Sequence, residues 1–398
     1  MKTNPWAWHD AQELRRIINV SGTMTSLGAS VSAPSVRAAT SEAMAHFVDM
    51  HDLQTEASRV IARLTGAEAG CITASASAGI SLAVAGCMTG LAPGRVEALP
   101  RDPGPRNSVV VQAGHLCSYG APVETAIRLT GADVRPVGTA TLAADYQLEA
   151  ALDETVAAAF YVVSHQVVHY GQIPLARFAE IAHAHGVPVI VDAASEYDLT
   201  GFLGQGADLV IYSGHKFLGG PTSGIIAGRR DLVRAAYLQN IGIGRGMKVG
   251  KEGIAGVMAA MESWMARDAA AIRARERAAL DLWLDALQGL AGIRAEIVAD
   301  PTGNPLDRLQ VNVDERAAGA SAARFAAGLA RLDPAVIVRD IEVELGYFQL
   351  DPCNLLPGQA ETVAQSLAAV LADGPALAQI DEADPRNGAV AGYLNWLA

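Results

Sequence analysis

The sequence predicts an α/β protein: a largely parallel sheet with helices on both faces, followed by a smaller α/β domain. Three observations carry that class. Between Cys71 and Gly228, short apolar runs alternate with helical-period segments at β-α-β spacing. The 398 residues, 51% of them hydrophobic, can bury a large core and suffice for two domains. After Arg229 the texture changes to a glycine-rich basic loop and then to alanine-rich segments, which marks a second region.

Taken in order, residues 10–18 read as a short helix leading into Ile17-Ile18-Asn19-Val20 and a loop beginning Ser21-Gly22-Thr23. Apolar residues at helical spacing predict helices over 34–48 and 52–65, the second stopped by Gly66. Residues 108–112 read as a strand, 123–130 as a helix ending at Gly131, and 134–137 as a strand beside an edge. A buried strand over 158–163 and a helix over 174–185 follow. Two further strands lead to Asp192 and Lys216, and 224–228 returns as another. Beyond them a long helix is expected over 252–290, strands over 293–298, 308–313 and 336–343, and helices over 317–331 and 358–372. The expected divisions are an N-terminal segment, 1–44, packing with the small domain, a large domain over 45–245 and a small domain over 246–398.

Composition narrows the function. A formal net charge of −12 argues against broad nucleic-acid binding, which rests on clustered Lys and Arg. The four cysteines show no C-x-x-C spacing, so no metal site is expected, and reduced thiols point to the cytoplasm. The start lacks a signal-peptide apolar core. Residues 69–94 carry no charge, but their Ser, Thr and Gly content suits a buried helix better than a membrane span.

The chemistry concentrates at two strand ends. Leu209-Val210-Ile211-Tyr212 reads as a buried strand running into Ser213-Gly214-His215-Lys216 and a Gly219-Gly220-Pro221 break. A desolvated ammonium tends to lose its proton, which suits a lysine for Schiff-base chemistry. Pro188-Val189-Ile190-Val191-Asp192 is a second buried strand, ending in a carboxylate. Pyridoxal phosphate needs both groups, the lysine for its carbonyl and the acid for its ring nitrogen. Upstream, Thr73-Ala74-Ser75-Ala76-Ser77-Ala78-Gly79 opens a predicted helix with small residues, where an anion is favoured.

The order of small-residue loop, strand-end Asp and strand-end Lys resembles the aspartate-aminotransferase superfamily, pyridoxal-phosphate fold type I. That resemblance implies a mostly parallel seven-stranded sheet in the large domain. Asn19-Val20-Ser21-Gly22-Thr23-Met24-Thr25, Leu64-Thr65-Gly66-Ala67-Glu68-Ala69, the stretch from Pro188 through Asp192 to Glu196, and the stretch from Ser213 to Pro221 look more narrowly like the selenocysteine synthase-like / D-glucosaminate-6-phosphate ammonia-lyase family. The likeness runs from about residue 15 to 375.

By resemblance, Lys216 is the Schiff-base lysine and Asp192 the ring-nitrogen partner. Ser75, Ala76 and Ser77 form the phosphate cup, and Ser213 adds a hydroxyl. His115 follows a strand where the superfamily often stacks a residue on the cofactor ring, with Tyr119 its rival. His165 and His215 are candidate proton donors. Arg245, Lys248 and Lys251, on a basic stretch, are candidates for a substrate or neighbouring-subunit phosphate, and Arg308 for an α-carboxylate. The family's selenium transferases carry an extra N-terminal tRNA-binding region, whereas this chain begins almost at the catalytic domain. With the acidic balance, that sets the expectation against tRNA. The implied protein is a cytoplasmic homo-oligomer with shared active sites and no membrane contact. It acts at the α-carbon of a small amino acid by elimination, through a Lys216 Schiff base and a carbanion. Racemisation or epimerisation and aminotransfer use the same carbanion and stay open as alternatives. A non-catalytic role for the same fold is the remaining reading, against which the intact Lys216–Asp192 pair argues.

Overall fold

The computed structural model describes residues 4–397 apart from 383 and 385. Its strands, in chain order, are β1 (Ile17–Val20), β2 (Ala69–Thr73), β3 (Ser108–Gln112), β4 (Asp133–Val137), β5 (Val156–Val162) and β6 (Val189–Asp192). They continue as β7 (Leu209–Ser213), β8 (Gly224–Gly228), β9 (Ile293–Ala299), β10 (Asp307–Val313), β11 (Ala335–Val338) and β12 (Tyr347–Leu350). Two compact units emerge. One is Ser30–Arg267, and the other joins the residues up to Ala29 with those from Asp268 onward. The units therefore divide at 29/30 and 267/268, whereas the sequence reading set the divisions at 44/45 and 245/246.

The unit Ser30–Arg267 is built on a seven-stranded sheet of order β2-β8-β7-β6-β5-β3-β4. Neighbours from β7 through β4 are parallel, and β8 runs antiparallel to both β7 and β2. The carboxyl ends of β2, β7, β6, β5 and β3 thus lie along one edge, where open α/β sheets collect ligands. Strands β2, β3, β6, β7 and β8 are buried along their whole length, because helices cover both faces; hence their continuous apolar runs. The charge-free stretch after β2 forms the helix Ala76–Thr89, buried nearly all round. Its small residues permit that. A Cβ on Gly86 would sit 2.7 Å from the Ala236 nitrogen of the helix Arg230–Leu238, and one on Gly79 would sit 3.2 Å from Ile211. No helix among the described residues is long and apolar enough to cross a membrane.

The helix Pro34–Met44 belongs to this unit and not to the small one. It packs on the helix Lys251–Ala266, with Ser35 and Ser263 hydroxyls 3.1 Å apart and Gly256 closely facing Thr40. The single long helix expected over 252–290 is two. It breaks at Arg267, and Asp268 caps the second helix, Ala269–Ala286, by accepting from the Ala271 N–H at 2.9 Å.

In the other unit, β1 pairs in parallel with β11, while β9, β10 and β12 form an antiparallel sheet in the order β12-β10-β9. The strand expected over 336–343 ends at Val338, and β12 follows a short turn instead. The expected helix over 317–331 is divided by Gly319, whose φ of +77° closes Glu315–Ala318.

Candidate active site

Register builds the site. Gly224 on β8 faces Thr73 on one side and Ser213 on the other, and Asp192 pairs with Ile211 in the next strand over. The carboxyl ends of β2, β7 and β6 and the start of β8 therefore stand side by side. After β6 the chain turns back at once. The Ala194 N–H donates to the Asp192 carboxylate at 3.0 Å, and the Glu196 N–H to the Ala193 carbonyl at 3.0 Å. This turn is pinned to β7, because Ala193 donates to the Ile211 carbonyl and Ser213 to the Ala194 carbonyl.

After β7 the backbone is held as tightly. Gly214 donates to the Ser223 carbonyl at 2.9 Å and Gly220 to the Gly214 carbonyl at 2.8 Å. A Cβ on Gly214 would lie 2.1 Å from the Ser223 hydroxyl, so only glycine fits there. The Ser30 hydroxyl donates to the His215 carbonyl at 2.6 Å. The turn therefore presents Lys216 from a fixed frame. Its ammonium donates to the Ser195 hydroxyl at 2.6 Å.

Burial governs the electrostatics. Desolvation pushes the Lys216 pKa down, opposed by Asp192, Glu196 and Cys117, in that order. Desolvation pushes the Asp192 carboxyl up, opposed by Lys216 and the Ala194 N–H. The same cause drives the two in opposite directions, since each loses water around its charged form. Cys117, in reach of both, is held neutral by burial with its pKa raised to about 11.

The phosphate-cup residues open the helix Ala76–Thr89. The Ser75 hydroxyl caps that helix, accepting from the Ala78 N–H at 3.0 Å. Ser77 meets Tyr119, whose phenol donates to the Ser77 hydroxyl at 3.1 Å. Ser213 and the His215 Nδ1 are 3.1 Å apart, and the His215 Nε2 is buried with no hydrogen-bond partner among the described residues. Desolvation, then the Lys216 charge, lowers the His215 pKa.

His115 is otherwise engaged. Its Nδ1 accepts from the Val162 N–H at 3.2 Å, and its ring stands edge-on to Tyr161 at 4.4 Å. Burial, with His169 nearby, lowers its pKa to about 4, so the ring is neutral. Of the two residues considered for the cofactor ring, Tyr119 is the one bonded to the cup. His165 lies half-buried on the loop after β5.

Arg245 and Lys248 are exposed on the 3-10 turn Ile243–Met247 and just after it. Lys251 is bound within its own unit. It donates to the Met44 carbonyl at 3.2 Å and to the His46 carbonyl, and sits 5.7 Å from the Phe47 ring centroid, so it closes the helix Pro34–Met44. Arg308, in the other unit, is clamped between Asp300 at 2.7 Å and Asp351 at 3.1 Å. Among the described residues no cluster of His, Cys, Asp and Glu could hold a metal.

Sequence reasoning passed over Ser195, Glu196 and Cys117. Ser195 and Glu196 lie in the stretch already singled out for Asp192, and a hydroxyl three residues past a strand-end acid was an available signal. Cys117 gave none, because only the fold brings the loop after β3 to the other two strand ends.

The set fits pyridoxal phosphate. A half-buried lysine and a buried carboxylate are presented from adjoining strand ends, and a helix N-terminus lined by small residues lies beside them. The His215 Nε2 adds a buried ring nitrogen with no hydrogen-bond partner among the described residues.

Comparison with known proteins agrees. The chain is 38% identical to D-glucosaminate-6-phosphate ammonia lyase of Salmonella typhimurium (strain 14028s / SGSC 2262), across 89% of this chain and 95% of that protein. It is also 38% identical to 5'-C-glycyluridine monooxygenase-decarboxylase of a Streptomyces species, across 90% of each. A solved structure of D-glucosaminate-6-phosphate ammonia-lyase superposes with a TM-score of 0.83 at 37% identity, covering 93% of this chain and 99% of that one. Serine palmitoyltransferase from S. paucimobilis, 17% identical, shares the fold at a TM-score of 0.56 over 90% of this chain and 88% of that one. The family model for L-seryl-tRNA selenium transferase matches residues 17–304. The chain belongs to the L-seryl-tRNA selenium transferase (SelA) family.

Proposed function

We propose that the chain is a pyridoxal-phosphate-dependent lyase, which removes the α-proton of a small amino acid, expels a β-substituent and yields a 2-oxo acid and ammonia. The carrying observation is the Lys216–Asp192 pair, two groups that desolvation shifts in opposite directions, presented by the adjoining strands β7 and β6. Likeness to an ammonia lyase supports elimination, and its phosphorylated amino-sugar-acid substrate suggests a polyhydroxylated substrate here too.

Pyridoxal phosphate, held by Lys216, supplies an electron sink for the charge that develops at the α-carbon. The chain's own residues do the rest. Asp192 places a negative charge, inside a dry site, where the ring nitrogen's proton is to be kept. Ser75, Ala76 and Ser77 offer the helix N-terminus to the phosphate, with Ser213 and His215 beside it. Lys216, its pKa lowered by burial, takes the α-proton on its nitrogen. His165 and His215 are candidates to return a proton to the leaving group.

A second reading has its own support, since a relative of equal identity is a monooxygenase-decarboxylase. The two differ in products. With D- and L-amino acids, including phosphorylated 2-amino sugar acids, elimination gives ammonia and a 2-oxo acid in equal amounts without oxygen. Oxygen uptake matched by carbon dioxide release would replace the lyase reading with the second one.

We place the protein in the cytoplasm as a homo-oligomer, acting on a small molecule and not on nucleic acid. Free thiols at all four cysteines support the compartment. The exposed Arg245 and Lys248 support a basic loop offered to a neighbouring copy.

A further inference from the structure

One helix offers an apolar face that nothing among the described residues covers. The helix Gly388–Asn395 and the turn that ends it carry Val390, Tyr393, Leu394 and Leu397, spaced i, i+3, i+4 and i+7, with Trp396 flanking them. That spacing gathers the four into one stripe, with Gly388, Ala391, Gly392 and Asn395 on the opposite side. On the surface helix of a globular protein such a stripe faces the core. Here these five large side chains are 56% to 82% exposed. Contiguous apolar patches of this kind mark interaction sites.

The helix starts from a fixed base. The Asp384 carboxylate accepts from the Arg386 N–H at 2.9 Å and from the Asn387 N–H at 3.0 Å. The segment ahead of it is tied to its own unit, where the Ser321 hydroxyl donates to Glu382 at 3.1 Å and Arg386 pairs with Glu344 at 2.6 Å. Leu345, next to that glutamate, is exposed as well.

Charge and area favour one occupant. Residues 387–397 carry no charge, and Asp381, Glu382 and Asp384 precede them. A helix that lies on an anionic lipid surface carries Lys and Arg on its polar face, so a membrane does not fit. A different protein chain is selected by complementary charge, which the stripe does not offer. An identical stripe is its own complement, since a two-fold axis brings the same patch of both copies together. Two aromatic side chains at about 150–250 Å² each and three aliphatic ones can bury on the order of 600 Å² per copy. The pair then buries about 1,200 Å², where standard-size interfaces begin.

We propose that the helix Gly388–Asn395 is an interaction surface for a second copy of this chain, whose own stripe covers Val390, Tyr393, Leu394 and Leu397 across a two-fold axis. No residue of the Lys216 site and none of the basic loop takes part, so the pairing stands apart from the cofactor reading.

The test follows the full chain over a dilution series, with light scattering for its mass and hydrogen exchange for the amides of residues 388–397. Those amides should be protected in the associated chain and lose protection on dilution, together with a twofold drop in mass. Leu394→Asp, at the centre of the stripe, should weaken association at least about a hundredfold, because pairing would bury two unanswered like charges. Leu394→Lys should do the same, and an equal mixture of the two should regain parental mass and protection. Asn395→Asp, on the opposite side, should leave both readings unchanged. A parental thermal midpoint at low concentration shows that each variant is folded; should Leu394→Asp fail that check, Tyr393→Asp replaces it. Leu394→Asp with parental mass and protection overturns the proposal, as does a mixture that stays dissociated. Free exchange of the helix in an associated parent, protection in a monomeric parent, or protection gained only on vesicles of phosphatidylglycerol and phosphatidylcholine would each overturn it too.

Discussion

Gly224→Ala offers the sharpest structural test of the phosphate cup. Gly224 stands between Thr73 and Ser213 in the sheet, and its Cβ would lie 2.2 Å from the Ser75 carbonyl oxygen and 2.4 Å from the Thr73 hydroxyl. The nearest obstacle is backbone, so no side-chain rotation relieves it. The Ser75 carbonyl must retreat by about 1 Å to reach ordinary contact. That movement pulls on the Thr73 hydroxyl, which donates to the same carbonyl at 2.8 Å, and on the Ser75 cap of the helix. Overpacking costs about 1–3 kcal/mol and a lost N-cap about 1 kcal/mol, roughly 2–4 kcal/mol together. In a unit of this size that lowers the midpoint of thermal unfolding by about 5–10 °C. Because the displaced residues form the cup, the Kd for pyridoxal phosphate should rise at least about tenfold. Thermal unfolding with and without cofactor, and titration of the visible absorbance, read the two effects. Gly246→Ala, with nothing within 4 Å of its Cβ, should leave both unchanged. A Gly224→Ala protein with parental midpoint and parental Kd would refute the placement of the cup beside β8.

Asp192→Asn should retain pyridoxal phosphate yet slow exchange of the substrate α-proton with solvent by at least about a hundredfold, read by NMR in deuterium oxide. His115 gives a pH signature. Its folded pKa of about 4 lies below the ordinary 6.5, so between these values the unfolded chain takes up a proton that the native chain does not. Stability is therefore lost as pH falls from 6.5 to 4, by roughly 2–3 kcal/mol from this residue. Urea unfolding of His115→Gln should show that much less loss over the same window, and an unaltered pH profile would contradict the assignment. Arg308→Ala should cost about 3–5 kcal/mol in urea unfolding, because Asp300 and Asp351 are left buried and unanswered.

Much of this site was legible in the sequence because its central residues sit at the ends of continuous apolar runs. Val189–Asp192 and Leu209–Ser213 are buried on both faces, so the strands end where polarity begins, at Asp192 and Ser213. The Ser75–Ala76–Ser77 loop was legible for a related reason, its small residues preceding a charge-free helix. Hidden features depended on contacts between distant segments. The break at Arg267 follows from one capping aspartate inside an alanine-rich pattern that reads as continuous helix. Lys251 looked available to an anion because its partners are backbone carbonyls some two hundred residues away, which side-chain chemistry does not announce. The helix Pro34–Met44 buries only Val36, too little to show which unit it joins; that is decided by its fit against Gly256.

The central claim is that Lys216 carries the cofactor, and the composition makes one measurement decisive. The chain has four lysines, Lys2, Lys216, Lys248 and Lys251. Borohydride reduction of the protein loaded with pyridoxal phosphate, followed by digestion and mass spectrometry, assigns the pyridoxyl group to one of them. The account predicts a single adduct on the peptide bearing Lys216, at one per chain, and none in Lys216→Ala. An adduct distributed over Lys2, Lys248 and Lys251, or a Lys216→Ala protein labelled as fully as the parent, would contradict it.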